Sequence, residues 1–378
     1  MNFSTDNDIL DLARPELRTL VPYTPGAYEP TCIRMNANES PYRALGDTTS
    51  RGLNIYPPPR PWELRDQLAE QYSVPAEQIL VTRGSSEAID VLIRGFCSAR
   101  KEEIVICPPT FDMYRLYAGI QDVDATEIPL IRNADPRLDF ALDTKTLINA
   151  LTKRTKLVFI CSPNNPTGRS TAASEIEAVC KATNGRALVI LDEAYLEFSD
   201  KKSLQSLQER YEHVVCLRTL SKFVSLAGVR CGALIAIPKL IEFLGSVLPP
   251  YTFPTPSIEL ALKALSIDSL KISMERNTLL RTERARLAAE LKSIPAVTKI
   301  WPSDANFLLI EVQNRKEFSE AARRSGILVR TFGEQKSLEQ CVRITIGRPE
   351  DNDFLLEALS MLGHNKISVR ERKFLDDQ

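Results

Sequence analysis

The run Ala187-Leu188-Val189-Ile190-Leu191 constrains this chain more than any other stretch. It is apolar at every position, with no alternation. A strand with one wet face alternates, so an unbroken run predicts a central strand covered on both faces. The run ends on Asp192 and Glu193. A carboxylate at the end of the most buried strand is costly unless a cation partners it.

Strands and helices alternate around this run. Trp62 to Tyr72 has helical spacing at Leu64, Leu68 and Tyr72. Strands are predicted at 78–82, 103–107, 126–130, 156–160, 214–217 and 233–236. The fold class is therefore α/β, with a mostly parallel central sheet. Ligands in such sheets gather beyond the carboxyl ends of the strands. After Pro256 the character changes. Residues 258–294 read as helix in two pieces, followed by short strands at 306–312, 327–329 and 341–345 and a helix over 351–362. The predicted organisation is an N-terminal arm over residues 1–40, a large domain over 41–260 and a small α+β domain over 261–378. Prolines 22, 25, 30, 41 and 57–59 break up the first sixty or so residues, and the last dozen are charged.

A chain of 378 residues suits two domains better than one core. Its net charge of −1 provides no basic field for nucleic acid or an anionic membrane, so local arginines must carry any anion recognition. None of the eight cysteines forms a C-x-x-C pair, and most lie in or beside apolar runs. That fits a reducing compartment. The N-terminus has no basic or apolar leader pattern, and no apolar stretch is long enough to span a bilayer. The expected location is the cytoplasm. The two histidines, His213 and His364, have no spaced partners, which disfavours a metal site or a histidine triad.

The chemistry must then use another base. Lys222 sits in Thr219-Leu220-Ser221-Lys222, after an apolar strand and eight residues before Arg230. Arg230, Ser221 and Thr219 suit a phosphate. Arg83-Gly84-Ser85-Ser86 lies between a strand and a helix, where free amides form an anion site, although either serine alone reads as an N-cap. Asp192 suits a protonated pyridine nitrogen. Tyr195 suits the phenolic oxygen of the same ring, as does Asn165 from the stiff turn Ser162-Pro163-Asn164-Asn165-Pro166-Thr167-Gly168. Together these residues point to pyridoxal 5'-phosphate held by Lys222 as a Schiff base.

The segments Asn165-Pro166-Thr167-Gly168, Asp192-Glu193-Ala194-Tyr195, Thr219 to Lys222 and Gly228-Val229-Arg230-Cys231-Gly232 resemble the fold-type I, class II aminotransferases. Val21-Pro22-Tyr23, Asn36 to Glu39, Tyr56-Pro57, Arg83-Gly84, Cys107 to Thr110 and Met113-Tyr114 extend the resemblance, over nearly the whole chain, to the histidinol-phosphate aminotransferase branch. The resemblance implies that Lys222 also acts as the base that moves a proton. It implies that Tyr114 stacks on the cofactor ring and that Tyr56 reaches the phosphate from the other subunit of a homodimer. Arg343 matches the arginine that binds the glutamate carboxylate, and Arg330 one associated with the substrate phosphate. Tyr23 and Asn38 match positions that contact substrate. Two departures stand out. Ser85-Ser86-Glu87-Ala88 replaces the usual Ala-Asp-Glu-Gly, and Phe111 replaces a frequent tyrosine.

The function implied is reversible transfer of an amino group between glutamate/2-oxoglutarate and a phosphorylated amino alcohol, histidinol phosphate. Closely similar sequences perform aromatic transamination or threonine-phosphate decarboxylation. A non-catalytic regulatory protein that binds the cofactor is the alternative from another class.

Overall fold

In a computed structural model, the protein is described for residues 8–21, 23, 26, 32–332, 335–360 and 362. The elements in chain order are α1 (Trp62–Tyr72), β1 (Ile79–Thr82), α2 (Gly84–Phe96), β2 (Glu103–Ile106), α3 (Met113–Ile120), β3 (Asp124–Glu127) and α4 (Thr144–Ala150). They continue with β4 (Thr155–Cys161), α5 (Ala173–Thr183), β5 (Leu188–Asp192), β6 (Val214–Thr219), β7 (Gly232–Ile235), α6 (Pro238–Val247) and α7 (Thr255–Ala264). The last are α8 (Ile267–Glu290), β8 (Val297–Ile300), β9 (Phe307–Val312), α9 (Arg315–Arg324), β10 (Arg330–Thr331), β11 (Cys341–Thr345) and α10 (Pro349–Ser360).

The first sheet has the order β1-β7-β6-β5-β4-β2-β3. All neighbours are parallel except β7, which runs antiparallel to both β1 and β6. Every position of β5 is buried. Leu188 and Ile190 pack with Ile89, Leu92 and Phe96 of α2, whereas Val189 and Leu191 pack with Ile176 and Val179 of α5 and Leu64 and Leu68 of α1. Successive side chains thus enter opposite cores, as an unbroken apolar strand requires. Each such side chain contributes roughly 1.5–3 kcal/mol on burial. Because β4, β5 and β6 are parallel and in register, their carboxyl ends emerge together, with Cys161 beside Asp192 and Asp192 beside Leu217.

The second sheet, β10-β11-β9-β8, is antiparallel. One face packs on Leu287 of α8, Phe318 of α9 and Leu355 of α10. From the other face, Leu309 and Cys341 join the core of the large sheet, and Phe307 packs on Tyr195. Arg343 is two residues from Cys341 along β11, so it shares this inward face.

Some elements depart from the sequence reading. Residues 327–329 are not a strand. The chain leaves α9 through Gly326 at φ +78° and pairs with β11 only at Arg330 and Thr331. β8 has only partly buried or exposed residues, so its apolar signal is weak. The helix expected after the Arg83-Gly84-Ser85-Ser86 turn begins at Gly84, which places Ser85 and Ser86 inside its first turn. The last helix ends at Ser360. His364, the charged tail and prolines 22, 25 and 30 lie outside the described residues. His213 is buried between Thr183 and the Cys180 carbonyl, and burial depresses its pKa to about 4, so it is a neutral structural histidine. Cys97, Cys107, Cys161, Cys180, Cys216, Cys231 and Cys341 are buried free thiols. Among the described residues, no helix is long and apolar enough to cross a membrane, and no group of side chains is arranged to hold a metal ion.

Candidate active site

A cavity of about 180 Å³ opens at the carboxyl ends of β4, β5 and β6. Its walls are Gly84, Ser85 and Ser86 of α2, Phe111, Cys161, Asn165, Asp192, Ala194, Tyr195, and Thr219, Ser221, Lys222, Ala227 and Arg230 of the segment after β6. The sequence thus named nine of its walls and missed Gly84, Phe111, Cys161, Ala194 and Ala227.

Asp192 is 2% exposed. Its Oδ1 accepts from the Ala194 backbone N–H at 3.2 Å and its Oδ2 from the Tyr114 hydroxyl at 2.7 Å. Both donors are neutral. Burial pushes its pKa up to about 6, against the pull of these two hydrogen bonds. A buried carboxylate in this state calls for a cationic partner. Glu193, next in the chain, is already matched by Arg218, which also meets Glu197 at 2.9 Å.

Another wall of the cavity is built for an anion. Thr219 Oγ1 donates to Ser221 Oγ at 3.0 Å, and Arg230 Nη1 approaches Ser221 Oγ at 3.4 Å. The first turn of α2 adds backbone amides without helical partners. Gly84 holds φ +70°, and a Cβ there would come within 2.9 Å of the Arg230 guanidinium. The left-handed backbone favours glycine here, and the missing side chain leaves room for the Arg230 guanidinium. Lys222 lies in the same cavity. Burial, with Arg343 and Arg230 nearby, lowers its pKa and favours the neutral, nucleophilic amine.

The Asn164-Asn165 turn is pinned by its own amides. Asn164 Nδ2 donates to the Pro109 carbonyl at 2.9 Å, and its Oδ1 accepts from the Thr110 hydroxyl at 2.8 Å. Asn165 Nδ2 donates to the Tyr195 hydroxyl at 3.3 Å, while its Oδ1 accepts from Arg343 Nη1. Arg343 therefore carries the second sheet to the edge of the cavity. It also lies over the Phe307 ring, 5.2 Å from the centroid. Arg330 is its direct cross-strand neighbour.

Tyr114 requires a correction. It is fully buried, it is not a wall of the cavity, and its ring stacks on Phe159 with centroids 4.7 Å apart. Phe111 takes the wall instead, with Tyr114 edge-on behind it at 5.7 Å. The reason is local. Phe111 precedes α3 and reaches the cavity, whereas Tyr114 is the second residue of the helix and points into the core. Tyr56, Tyr23, Asn38 and Arg330 also lie off these walls. Tyr56 packs on Tyr251 at 4.8 Å and is half exposed, Tyr23 and Asn38 are exposed, and Asn38 adopts φ 55°.

The sequence profile of the aminotransferase class I and II family matches residues 24–359. The chain belongs to this family. It is 40% identical over 354 residues to a histidinol-phosphate aminotransferase of Xanthomonas campestris pv. campestris, covering 93% of this chain and 97% of that one. A histidinol-phosphate aminotransferase of Xylella fastidiosa is 38% identical over 362 residues, 95% of this chain and 98% of the relative. The crystal structure of histidinol-phosphate aminotransferase from Sinorhizobium meliloti, in complex with pyridoxal-5'-phosphate, superposes with a TM-score of 0.72 at 22% identity, covering 82% of this chain and 83% of that one. The aminotransferase thus has the fold-type I architecture, and its cavity fits the family's cofactor. A buried carboxylate suits a protonated ring nitrogen, a cup of hydroxyls and a guanidinium suits a phosphate, and an amine of lowered pKa suits an aldehyde.

Proposed function

We propose that this chain is a pyridoxal-phosphate-dependent transaminase that exchanges an amino group between glutamate/2-oxoglutarate and histidinol phosphate/imidazole acetol phosphate. One observation carries the substrate assignment. Arg330 and Arg343 face each other across β10 and β11, and neither has an ion-pair partner among the described residues. Like charges directly opposite each other are unfavourable unless an anion joins them. Two such cations beside the cavity suit substrates that carry a dicarboxylate or a phosphate ester in addition to their amine. The names of the Xanthomonas and Xylella relatives support the same choice.

The cofactor, when bound, supplies an aldehyde for the substrate amine and a ring that withdraws electrons. The protein does the rest. Lys222 Nζ would hold the cofactor at rest and, once displaced by the substrate amine, would act as the base that moves the proton away from the substrate carbon. Asp192 would keep a proton on the ring nitrogen. Tyr195 and Asn165 would donate to the phenolic oxygen, and Phe111, a wall of the same cavity, would face the ring. The amides and hydroxyls of Ser85 and Ser86, with Thr219, Ser221 and Arg230, hold the cofactor phosphate. Arg343 binds the carboxylate of glutamate and Arg330 the phosphate of the amino alcohol.

The active form proposed is a cytoplasmic homodimer of three-part chains, with an arm over 1–40, a large domain over 41–260 and a small domain over 261–378. The exposed Tyr56 reaches the phosphate cup of the partner, and Tyr23 and Asn38 meet substrate from the arm. A half-reaction spectrum with a panel of amino donors tests the assignment. Glutamate and histidinol phosphate should each bleach the absorbance of the protein-bound cofactor. Strong bleaching by phenylalanine or threonine phosphate with none by histidinol phosphate would refute the substrate.

A further inference from the structure

Tyr114 lies behind the cavity but touches two of its walls. Its ring meets Phe111 edge-on, and its hydroxyl donates to Asp192 Oδ2 at 2.7 Å. The ring stacks on Phe159 and is fully buried. Phenylalanine would serve that packing equally well. A buried hydroxyl is costly unless it is hydrogen-bonded, so the oxygen has a specific task.

That task is visible at Asp192. One donor, the Ala194 N–H, meets Oδ1, and the Tyr114 hydroxyl meets Oδ2. With both oxygens held, the carboxylate cannot swing about its terminal torsion, and each oxygen keeps lone-pair capacity for the cavity. We propose that Tyr114 is a positioning residue for transamination: its hydroxyl aims the Asp192 carboxylate at the cofactor ring nitrogen and keeps it ionised, while its ring braces Phe111. The proposal rests on the reading of Asp192 as the partner of that nitrogen.

The groups facing Asp192 support this division. Cys161 comes from β4 and Tyr114 from α3, while Glu193 follows along the chain and Tyr195 and Lys222 share the cavity. Glu193 is committed to Arg218, Ser203 and the Leu204 N–H. Burial raises the Asp192 pKa, and the Tyr114 hydrogen bond is the largest influence that opposes it. Removal of the hydroxyl therefore leaves a carboxylate that protonates at higher pH.

The test titrates cofactor-free protein with pyridoxal phosphate from acid to mildly alkaline pH and reads affinity from absorbance. In wild type, affinity should fall as pH drops through a midpoint set by Asp192. Tyr114→Phe should move that midpoint up by about one to two pH units, the range expected for loss of a hydrogen bond to a charged group. Affinity at neutral pH should then fall about tenfold and recover at alkaline pH. In an Asp192→Asn background, Tyr114→Phe should leave the pH dependence unchanged. Replacement of Tyr114 by 3-fluorotyrosine, a stronger donor of nearly the same shape, should move the midpoint down, and this variant tests the idea even if Tyr114→Phe does not fold. An unmoved midpoint in either variant, or an equal loss at every pH, would overturn the proposal and leave Tyr114 a packing residue. Wild type that binds no cofactor, or Asp192→Asn that keeps the wild-type midpoint, would instead refute the Asp192 reading.

Discussion

Replacing Arg330 by glutamine separates the two anion anchors. Arg330 and Arg343 are cross-strand partners in an antiparallel pair, so their Cα atoms stand about 5 Å apart. Their environments differ. Arg343 is half-buried, donates to Asn165 and lies over Phe307, whereas Arg330 is exposed. A hydrogen bond to a charged group contributes about 1.5–3 kcal/mol, which corresponds to roughly 10- to 150-fold in specificity. Arg330→Gln should therefore lower kcat/KM for histidinol phosphate by about that factor and change the glutamate half-reaction less than about threefold. Arg343→Gln should impair both. Because Arg330→Gln also removes a like-charge pair worth about 0.2–1 kcal/mol of repulsion, its melting temperature should hold or rise slightly. Stopped-flow half-reactions with each donor, alongside thermal melts, give all three readings. Equal loss of both half-reactions, or a marked drop in melting temperature, would refute the assignment of Arg330 to the phosphate.

Three further outcomes follow from the same geometry. Lys222→Ala should abolish covalent cofactor attachment and turnover; with wild type, the attachment rate should rise with pH through a midpoint below the ordinary lysine value of 10.5, because burial and the nearby Arg343 and Arg230 depress its pKa. An attachment rate that is flat with pH would contradict this. Gly232→Ala places a Cβ within 2.8 Å of both the Arg218 carbonyl oxygen in β6 and the carbonyl carbon of Gly84, the first residue of α2, beside the phosphate cup. It should cost about 1–3 kcal/mol in chemical denaturation and weaken cofactor binding; a neutral result would mean that the end of β6 and the start of α2 separate freely. For Asp139, burial raises the pKa, but the Asn133 N–H, Trp301, Lys299 and Arg132 outweigh it and hold the pKa at about 2, below the ordinary 3.8. Its stabilisation, on the order of 2 kcal/mol, is complete above the unfolded value and lost as pH falls from there toward about 2. Asp139→Asn should therefore flatten acid unfolding in that window, and an unchanged acid limb would remove Asp139 as its cause.

Most of the cofactor site was legible because its residues sit at strand ends, where a short apolar run stops at a polar residue. Asp192, Asn165 and the Thr219 to Lys222 segment each follow such a run, and register brings them together. The second sheet was less legible. β8 lies at an edge with polar, partly buried residues, so its composition resembles a loop. The exchange of Tyr114 and Phe111 had a different cause. Both are aromatic and three residues apart, and only their placement around the start of α3 decides which one faces the cavity. Sequence spacing identified the pair but not the direction of either ring.

Asn165 links Arg343 of the second sheet to Tyr195 of the candidate cofactor site. Its carbonyl oxygen accepts from Arg343 and its amide nitrogen donates to Tyr195, so the amide can be read in only one orientation. That orientation turns the N–H group toward the expected phenolic oxygen of the cofactor. The substrate carboxylate and the Asn165 carbonyl then compete for the same guanidinium. A carboxylate that engages Arg343 must share it with Asn165 or displace that contact, which alters the donor presented to the cofactor ring. On the proposed roles, substrate binding at Arg343 would be coupled to the electronics of the cofactor at the end of the first sheet. The coupling predicts that Asn165→Ala shifts the absorbance maximum of the bound cofactor and also weakens the dependence of that maximum on added 2-oxoglutarate. A spectrum that shifts on 2-oxoglutarate binding as fully in Asn165→Ala as in wild type would show that the signal travels by another route.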